Sequence, residues 1–329
     1  MRRSWCAMNL WRLRLSILGT LALIIGISTL GFSLILSLLG AFSLLSLLIL
    51  TALFNIIQWL LAPYLINAIY GVRPLGEHEY PELHRIVDEL SQRAGISRPK
   101  LMLSEMSIPN AFAYGSPLTG NMVAVTRGLL RHLELEEVEA VIGHELGHIR
   151  HRDVQVMMFV SFLPSLFYLL ARSTLYPYYY GYYAERRRGD YSALALVGAA
   201  SMFIYFILLL FTLALSRLRE YYADQHSVSI VDDGARKLAE ALAKISTSTS
   251  RMRRAETMGL GSFKTLFISD PDRALADAAD LQRLRYGGRD DEIVRRLLER
   301  KLTWFDRFTE LFSTHPNVVK RIRALLEAS

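Results

Sequence analysis

The longest feature of the hydrophobic pattern is a run without any charged residue from Leu15 to Val72. About 20 apolar residues cross the hydrocarbon core of a bilayer, so this run is long enough for two spans. We predict membrane helices near 15–36 and 41–66, joined by a short turn around Ser37–Gly40. A signal peptide is the alternative, because arginines precede the run, but the apolar core of a signal peptide has only ~7–15 residues.

Two further apolar runs, Val154–Ala171 and Tyr191–Ser216, indicate a second pair of membrane helices. The segment between them is rich in tyrosine, which is typical of the bilayer interface. The first of these runs contains Pro164 and lies near the lower length limit for a span, so a buried core helix is its alternative. We therefore expect about four transmembrane helices.

The remaining segments are polar enough to form a water-exposed domain. We interpret 73–153 and 217–329 as two parts of one domain, which is interrupted by the membrane hairpin 154–216 and preceded by the hairpin 1–72. The predicted fold class is therefore a membrane α-helical part plus an α+β domain that is mostly helical and has a small β-sheet.

Periodicity locates the elements of this domain. Apolar residues at helical spacing predict a helix in "PELHRIVDELSQRAGI" that ends at Gly95. The segments "KLMLSEM", "PNAFAYGSPLTG" and "NMVAVTRG" are typical of strands and a loop. A helix is predicted over "LELEEVEAVIGHELGHIRHRD", with an apolar side that consists of Leu133, Leu135, Val138, Val141 and Ile142. Three more helices are expected at 234–246, at 290–312 and from Pro316, whereas the signals in 250–289 are mixed.

Composition and charge support a membrane protein. Hydrophobic residues make up 52% of the chain and charged residues 21%, with a net charge of +7. A nucleic-acid binder can carry such a charge, but the apolar content favours a membrane protein with a basic cytoplasmic face. The N-terminal arginines predict a cytoplasmic N-terminus and a cytoplasmic polar domain, although Arg186–Arg188 would then lie outside. The single cysteine, Cys6, excludes an internal disulfide.

One short motif carries the chemistry. His144 and His148 are four residues apart on a predicted helix, so both imidazoles project from one face and can bind the same zinc ion. Glu145 lies on the adjoining flank, where it can act as a general base without being a ligand. Gly143 and Gly147 disfavour a helix, and close packing at an active site would explain them. The neighbouring His151 is expected at the surface.

A catalytic zinc site needs a third protein ligand. Glu220 directly follows the fourth apolar run, and Asp224 lies one helical turn later on the same face. We expect Glu220 to bind the metal and Asp224 to accept a hydrogen bond from a ligand histidine. Taken alone, the pair would be the solvated acidic face of an amphipathic helix.

Several segments together carry a family resemblance. They are "HELGHIRHRD", "EYYAD" after a membrane segment, "PNAFAYG" followed by "NMVAVTRGLL", and "STHPNVVKRI" near the C-terminus. In this order, they resemble the HtpX-like branch of the membrane zinc metallopeptidases, which are gluzincins related to the CAAX prenyl endopeptidases. The resemblance implies a zincin-like protease domain in which His144, His148 and Glu220 bind one Zn²⁺, Glu145 is the base and Asp224 supports a ligand.

The resemblance implies two further roles. His315 and Arg321 would lie by the zinc and stabilise the negative charge that develops on the scissile carbonyl, which is often a large catalytic effect. The same segment also fits a helix start with Ser313 or Thr314 as the cap and Pro316 in the first turn. The strand Asn110, Ala111, Phe112, Ala113 and Tyr114 would pair with the backbone of a substrate.

The sequence thus predicts a membrane-anchored zinc endopeptidase of the cell membrane, multi-pass, with its protease domain facing the cytoplasm. The resemblance implies that it cleaves misfolded or damaged membrane proteins, so its partners are such polypeptides and the bilayer, without nucleic acid. A homo-oligomer is left open. The alternatives are a CAAX-type prenyl endopeptidase and a zinc-stabilised membrane scaffold without activity. A transporter is disfavoured because no charged residue lies inside a predicted span.

Overall fold

The computed structural model describes residues 44–179, 190–251, 290–300 and 302–328. The described residues form two compact units. One contains the described residues of 60–154 and 216–328, and the other contains 44–59, 155–179 and 190–215. The predicted first span at 15–36 and most of the segment 250–289 lie outside the described residues.

A four-stranded sheet organises the first unit. Its strands are β1 (Val72–Pro74), β2 (Lys100–Ser104), β3 (Ala111–Ser116) and β4 (Gly120–Thr126), in the order β1-β2-β4-β3. Strands β2 and β4 are parallel, and the other two pairs are antiparallel. The prediction of β2, β3 and β4 is confirmed, whereas β1 is too short for a periodic signal. Strand β3 therefore lies at an edge of the sheet.

Three helices of this unit precede the second apolar pair. They are α2 (Pro81–Ala94), α3 (Arg127–His132) and α4 (Leu135–Arg150), and they follow α1 (Leu44–Ile69), which begins in the other unit. The predicted end of α2 is confirmed, since Gly95 adopts φ 65° and its N–H bonds to the carbonyls of the last turn. The prediction for α4 is confirmed as well, but Leu135 is exposed rather than part of its buried side.

Two long helices contain the third and fourth apolar runs. They are α5 (Asp153–Tyr179) and α6 (Asp190–Ile230). Among the described residues, two segments, Asp153–Arg172 and Leu194–Ile230, are long and apolar enough to cross a membrane. Helix α1 adds a shorter apolar stretch, Trp59–Ile69, to these two segments. Four spans therefore remain a prediction. Helix α6 continues without a break from the apolar run into the segment that carries Glu220.

The C-terminal part contains α7 (Gly234–Arg251), α8 (Asp290–Glu299), α9 (Trp304–Glu310) and α10 (Val318–Ala328). The prediction of one helix over 290–312 was wrong. The Thr303 side chain accepts a hydrogen bond from the N–H of Asp306, and the Asp306 carboxylate accepts one from the N–H of Thr303, so a new helix starts there.

The start of α10 also differs from the expectation. Asn317 rather than Ser313 or Thr314 caps this helix, because its Oδ1 accepts a hydrogen bond from the N–H of Val319 at 2.9 Å. The hydroxyl of Ser313 instead accepts from the N–H of His315. Pro316 therefore precedes the helix and does not lie in its first turn.

The apolar core lies on one side of the sheet. Leu101, Leu103, Val123 and Val125 of the strands belong to one buried cluster with residues of α2, α4, α7, α8 and α10. The opposite side of the sheet packs against the end of α1 through a second cluster that includes Tyr70 and Phe112. Helix α4 is thus held between the sheet and α7 by the main core.

Candidate metal centre

Close contact between α4 and α6 brings the two motif histidines of α4 next to Glu220 and Asp224 of α6. A side chain at Gly147 would approach the Cα of Ala223 and the Cβ of His226 to 3.1 Å. A side chain at Gly143 would meet Val231 at 2.8 Å. The two glycines therefore allow the helices to approach closely, as their presence in a helix suggested. The buried hydroxyl of Ser227 also donates to the carbonyl of Ala140 at 2.7 Å.

The structure brings His144, His148 and Glu220 together. The Nε2 atoms of the two histidines lie 3.2 Å apart. One carboxylate oxygen of Glu220 lies 3.6 Å from Nε2 of His144, and the other lies 3.5 Å from Nε2 of His148. One ligand atom from each residue lies within 4.8 Å of the other two, which is a spacing that can hold a metal ion.

A carboxylate stands behind each histidine. Nδ1 of His144 lies 2.9 Å from Oδ1 of Asp224, and Nδ1 of His148 lies 2.5 Å from Oδ2 of Asp153. A carboxylate accepts hydrogen bonds, so these positions favour the ring tautomer that carries its proton on Nδ1. In that tautomer, the Nε2 atom of each ring has a lone pair that can bind a metal ion.

This donor set fits a zinc ion. Both Nε2 atoms and the Glu220 carboxylate converge here. When Nδ1 carries the ring proton, these three acceptors repel one another unless a cation lies between them. Two imidazoles with one carboxylate form a common set of protein ligands in catalytic zinc sites, where the fourth position is left for water or substrate. Among the described residues, no cysteine contributes to the cluster.

The carboxylates of Asp224 and Glu220 favour a positive charge at this site. Burial lowers the pKa of His144, but the hydrogen bonds to Asp224 and Glu220 outweigh that effect, and the pKa rises to about 9. A positive charge is thus stabilised at the position where a metal ion would bind.

Glu145 lies next to these groups without joining them. Its side chain is buried, and Oε2 accepts a hydrogen bond from the N–H of Ala113 at 2.8 Å. Ala113 lies on the edge strand β3, so the sheet fixes the carboxylate from one side. Burial raises the pKa of Glu145, against the lowering effect of His148 and His144. A carboxylate with a raised pKa is suited to accept and release a proton.

Arg321 and His315 come from the segment around the start of α10. The guanidinium of Arg321 is buried and donates two hydrogen bonds to Asp224, at 2.9 and 2.6 Å. Its Nη1 also lies 3.2 Å from Glu220. Burial lowers the pKa of Arg321, but the charges of Asp224 and Glu220 outweigh it and raise the pKa. These contacts indicate that Arg321 positions the carboxylates of Asp224 and Glu220. They favour this role over direct contact with a substrate.

His315 is also buried. Its Nε2 lies 3.7 Å from Glu220, and its Nδ1 lies 2.9 Å from the hydroxyl of Thr314. The ring thus points Nε2 toward the candidate metal cluster, where it can donate a hydrogen bond in the tautomer that carries the proton on Nε2. This placement is compatible with the role that the resemblance implies for His315.

The predicted substrate strand, Asn110–Tyr114, consists of Asn110 and the first four residues of β3. Asn110 is buried and pairs with Thr126 through both its N–H and its carbonyl. The side chains of Phe112 and Tyr114 are buried on the sheet face that packs against α1, and the Tyr114 hydroxyl donates to Asn67 at 2.6 Å. Ala111 and Ala113 point to the opposite face, and Ala113 lies at Glu145. The outer edge of β3 thus runs past Glu145.

Two residues of the site were missed by sequence reasoning. Asp153 and Arg219 form an ion pair of 2.9 Å behind His148. Arg152 between α4 and α5 has φ 54°, and this left-handed turn brings Asp153 back to the ring. The only signal in the sequence was an acidic residue five positions after the second histidine.

His151 was expected at the surface, and this expectation was wrong. Its side chain is half-buried, and its ring packs against Tyr222 at 4.1 Å and against His226 at 5.3 Å between centroids. Gly147 makes the space for this stack, because His226 lies directly over it. The signal that could have predicted the stack is the i, i+4 spacing of Tyr222 and His226 on α6.

Comparisons with known proteins show which family the chain is similar to. Residues 77–329 match the model of peptidase family M48. A protease HtpX homolog of Thermoplasma acidophilum is 38% identical over 97% of this chain and 98% of its own length. A protease HtpX homolog of Aeropyrum pernix is 41% identical over 82% of each chain.

A solved structure shares the fold. The crystal structure of S. mikatae Ste24p matches with a TM-score of 0.52 at 16% identity, over 97% of this chain and 67% of that chain. M48 metallopeptidases are zinc-dependent, and the family match includes both histidines, Glu220 and the segment around His315. The chain therefore belongs to peptidase family M48 and is a metalloprotease of the HtpX type.

Proposed function

We propose that this protein is a membrane-anchored zinc endopeptidase that binds one zinc ion per chain through His144, His148 and Glu220. The observation that carries the proposal is the convergence of both Nε2 atoms on Glu220, with a carboxylate, Asp224 or Asp153, beside Nδ1 of each histidine. A site that only stabilised the fold would be closed by a fourth protein ligand and would have no use for Glu145.

The chemistry follows from the position of Glu145. A zinc ion held by His144, His148 and Glu220 would acidify water and polarise a peptide carbonyl. Glu145 accepts the proton of the attacking water on its carboxylate and later donates it to the leaving amine. The N–H of Ala113 holds Oε2, so we assign the proton transfer to Oε1. The buried surroundings keep the raised pKa that this exchange requires.

Arg321 and His315 act on either side of Glu220. Arg321 holds Asp224 and Glu220 in place, and Asp224 in turn orients His144. His315 donates from Nε2 toward the charge that develops on the scissile carbonyl. The edge of β3, from Asn110 to Tyr114, pairs with the substrate backbone, and recognition through main-chain groups tolerates many sequences.

The substrates are proposed to be misfolded or damaged membrane proteins at the cytoplasmic face of the cell membrane. Both ligand helices lead directly into apolar helices along the chain, since α5 starts five residues after His148 and α6 carries both the apolar run and Glu220. The parts 73–153 and 217–329 then form one cytoplasmic protease domain, and the hairpins 1–72 and 154–216 anchor it.

The test is cleavage in proteoliposomes that contain the purified full chain and zinc. The substrates are one membrane protein in its native form, the same protein after a destabilising substitution, and a prenylated peptide. We expect the destabilised protein to be cut much faster than the other two. Preferential cleavage of the prenylated peptide would instead support the CAAX-type alternative, and equal cleavage of both protein forms would contradict the quality-control role.

A further inference from the structure

Helix α9 turns its apolar side outward. Trp304 is 76% exposed, Phe305 59% and Phe308 50%. At 100° per residue, these three side chains and the two that follow the helix, Leu311 and Phe312, occupy one arc of about 120°. We call this surface the aromatic face.

The polar side of α9 turns inward. Glu310 is buried, accepts a hydrogen bond from the N–H of Asn317 at 3.1 Å and pairs with Lys320. A helix on a water-exposed surface normally has the reverse arrangement, with its apolar stripe against the core. The exposed side of α9 is therefore suited to an apolar environment.

The rings of the aromatic face form a continuous surface. Trp304 and Phe308 have centroids 6.3 Å apart, and Phe308 and Phe312 have centroids 5.5 Å apart. An exposed apolar surface of this kind, rimmed by polar residues, marks a site of contact with a protein or a membrane.

The position of Arg217 favours a membrane over a protein as the partner of the aromatic face. Its Nη1 donates to the carbonyls of Leu311 and Ser313, at 3.2 and 2.7 Å, and so attaches the end of the aromatic face to α6. Arg217 is also the first charged residue after the uncharged stretch from Tyr191 to Ser216 in that helix. A charged side chain avoids the hydrocarbon core, so Arg217 marks the level at which α6 leaves a bilayer.

The residues around the aromatic face fit that level. Tryptophan is enriched at the interface between bilayer and water, because its ring is apolar and its N–H can still bond to headgroups or water. The exposed Arg307 borders the arc, where a guanidinium can reach anionic headgroups while its stem covers apolar surface.

We propose that the aromatic face of α9 inserts into the interfacial layer of the bilayer and is a second, peripheral membrane contact of the protease unit. This inference rests on the membrane location proposed above. His315 follows Phe312 by three residues, so the contact would also fix the position of the segment that brings His315 to Glu220. Lipid would thus act on the arrangement of the site as well as on anchoring.

Quenching of Trp304 fluorescence tests the proposal in the full chain. Trp5, Trp11 and Trp59 are replaced by Phe, and the protein is reconstituted into nanodiscs of phosphatidylcholine and phosphatidylglycerol. The lipids carry bromine either just below the headgroups or near the chain ends. We expect bromine near the headgroups to remove most of the Trp304 emission, bromine near the chain ends to remove less, and aqueous iodide to have little effect.

A matched control places the single tryptophan elsewhere on the same unit. Leu135→Trp, combined with Trp304→Phe, puts the ring at an exposed position at the start of α4, the end of that helix remote from α5. Its emission should be quenched by iodide and not by brominated lipid. Incorporation of the protein into nanodiscs is measured separately, so a failure of the membrane location is distinguished from a failure of this inference.

Several results would overturn the inference. Emission of Trp304 that iodide quenches and brominated lipid does not would place the aromatic face in water. A shift of that emission only on addition of unfolded casein would identify a polypeptide-binding surface instead. A shift only when two copies share one nanodisc would identify a self-association surface. If the tryptophan substitutions prevent folding, a nitroxide is attached at Phe308→Cys in a Cys6→Ser background. Its accessibility to oxygen then measures the depth of the aromatic face in the bilayer.

Discussion

Nδ1 of His148 lies 2.5 Å from Oδ2 of Asp153, and Asp153 in turn is held by Arg219 at 2.9 Å. The contact joins the last turn of α4 to the first residue of α5 across the left-handed turn at Arg152. A buried carboxylate in this position fixes both the tautomer and the direction of the ring. The first residue of an apolar helix is thereby part of the candidate metal centre.

Loss of this contact is expected to weaken zinc binding. Asp153→Ala removes the acceptor of the His148 proton, and the loss of such a partner costs about 10–100-fold in metal affinity. Competition with a chelator measures the zinc affinity of the purified protein. Asp153→Asn should recover part of it, because the amide oxygen still accepts the proton.

The matched control is Asp232→Ala, since Asp232 is a highly exposed acid that pairs with Arg93. It should leave the zinc affinity unchanged. Equal zinc affinity in Asp153→Ala and in the wild type would show that the ring is oriented by other groups.

Arg321 is expected to be essential for stability. Its guanidinium is 1% exposed and neutralises Asp224 and Glu220 together. In the zinc-loaded protein, Arg321→Met leaves the buried carboxylate of Asp224 without its cation, and breaking a buried pair in this way costs about 3–5 kcal/mol. The free energy of unfolding in urea, measured for the zinc-loaded protein, gives the effect directly.

Arg295→Met serves as the control for this substitution. The side chain of Arg295 is 82% exposed in an i, i+4 pair with Glu299, so its loss should change the free energy of unfolding by less than about 0.5 kcal/mol. A similar small effect of Arg321→Met would mean that the carboxylates do not depend on Arg321.

Removal of zinc is expected to lower the thermal stability. The two Nε2 atoms and Glu220 converge in the folded state, so zinc binds the folded chain far better than the unfolded chain. At a free zinc concentration 1,000 times the Kd, the folded state gains about 4 kcal/mol. Thermal unfolding with chelator, with zinc and after zinc is restored measures this gain.

Two histidine variants distinguish stabilisation by zinc at this site from stabilisation by zinc bound elsewhere on the protein. His148→Ala should abolish the zinc-dependent rise in Tm, whereas His78→Ala, at an exposed position outside the cluster, should retain it. A zinc-dependent rise that persists in His148→Ala would locate the stabilising ion elsewhere.

Much of this arrangement was predictable because it follows local rules. Helical periodicity and the end signal at Gly95 gave α2, and the spacing of His144 and His148 placed both rings on one face of α4. Glu220 could be proposed because it follows an apolar run that was predicted to return the chain to the same side of a membrane.

The rest depends on contacts that periodicity does not encode. The break between α8 and α9 is set by the reciprocal hydrogen bonds of Thr303 and Asp306, within a stretch that otherwise has helical spacing. The His151 stack depends on the distance between α4 and α6, which the glycines control in three dimensions. The engagement of Arg321 with Asp224 joins residues 97 positions apart in the sequence.

The most direct test of the central claim compares the wild type with Glu145→Gln. Both are purified as full chains, bound zinc is quantified, and cleavage of unfolded casein is followed. Glutamine keeps the shape of Glu145 and can accept from the N–H of Ala113, but it cannot take a proton from water. We predict about one zinc per chain in both proteins, with cleavage by the wild type only. Equal cleavage by both would contradict the role of Glu145, and zinc in both without any cleavage, even of membrane substrates, would favour a scaffold over an enzyme.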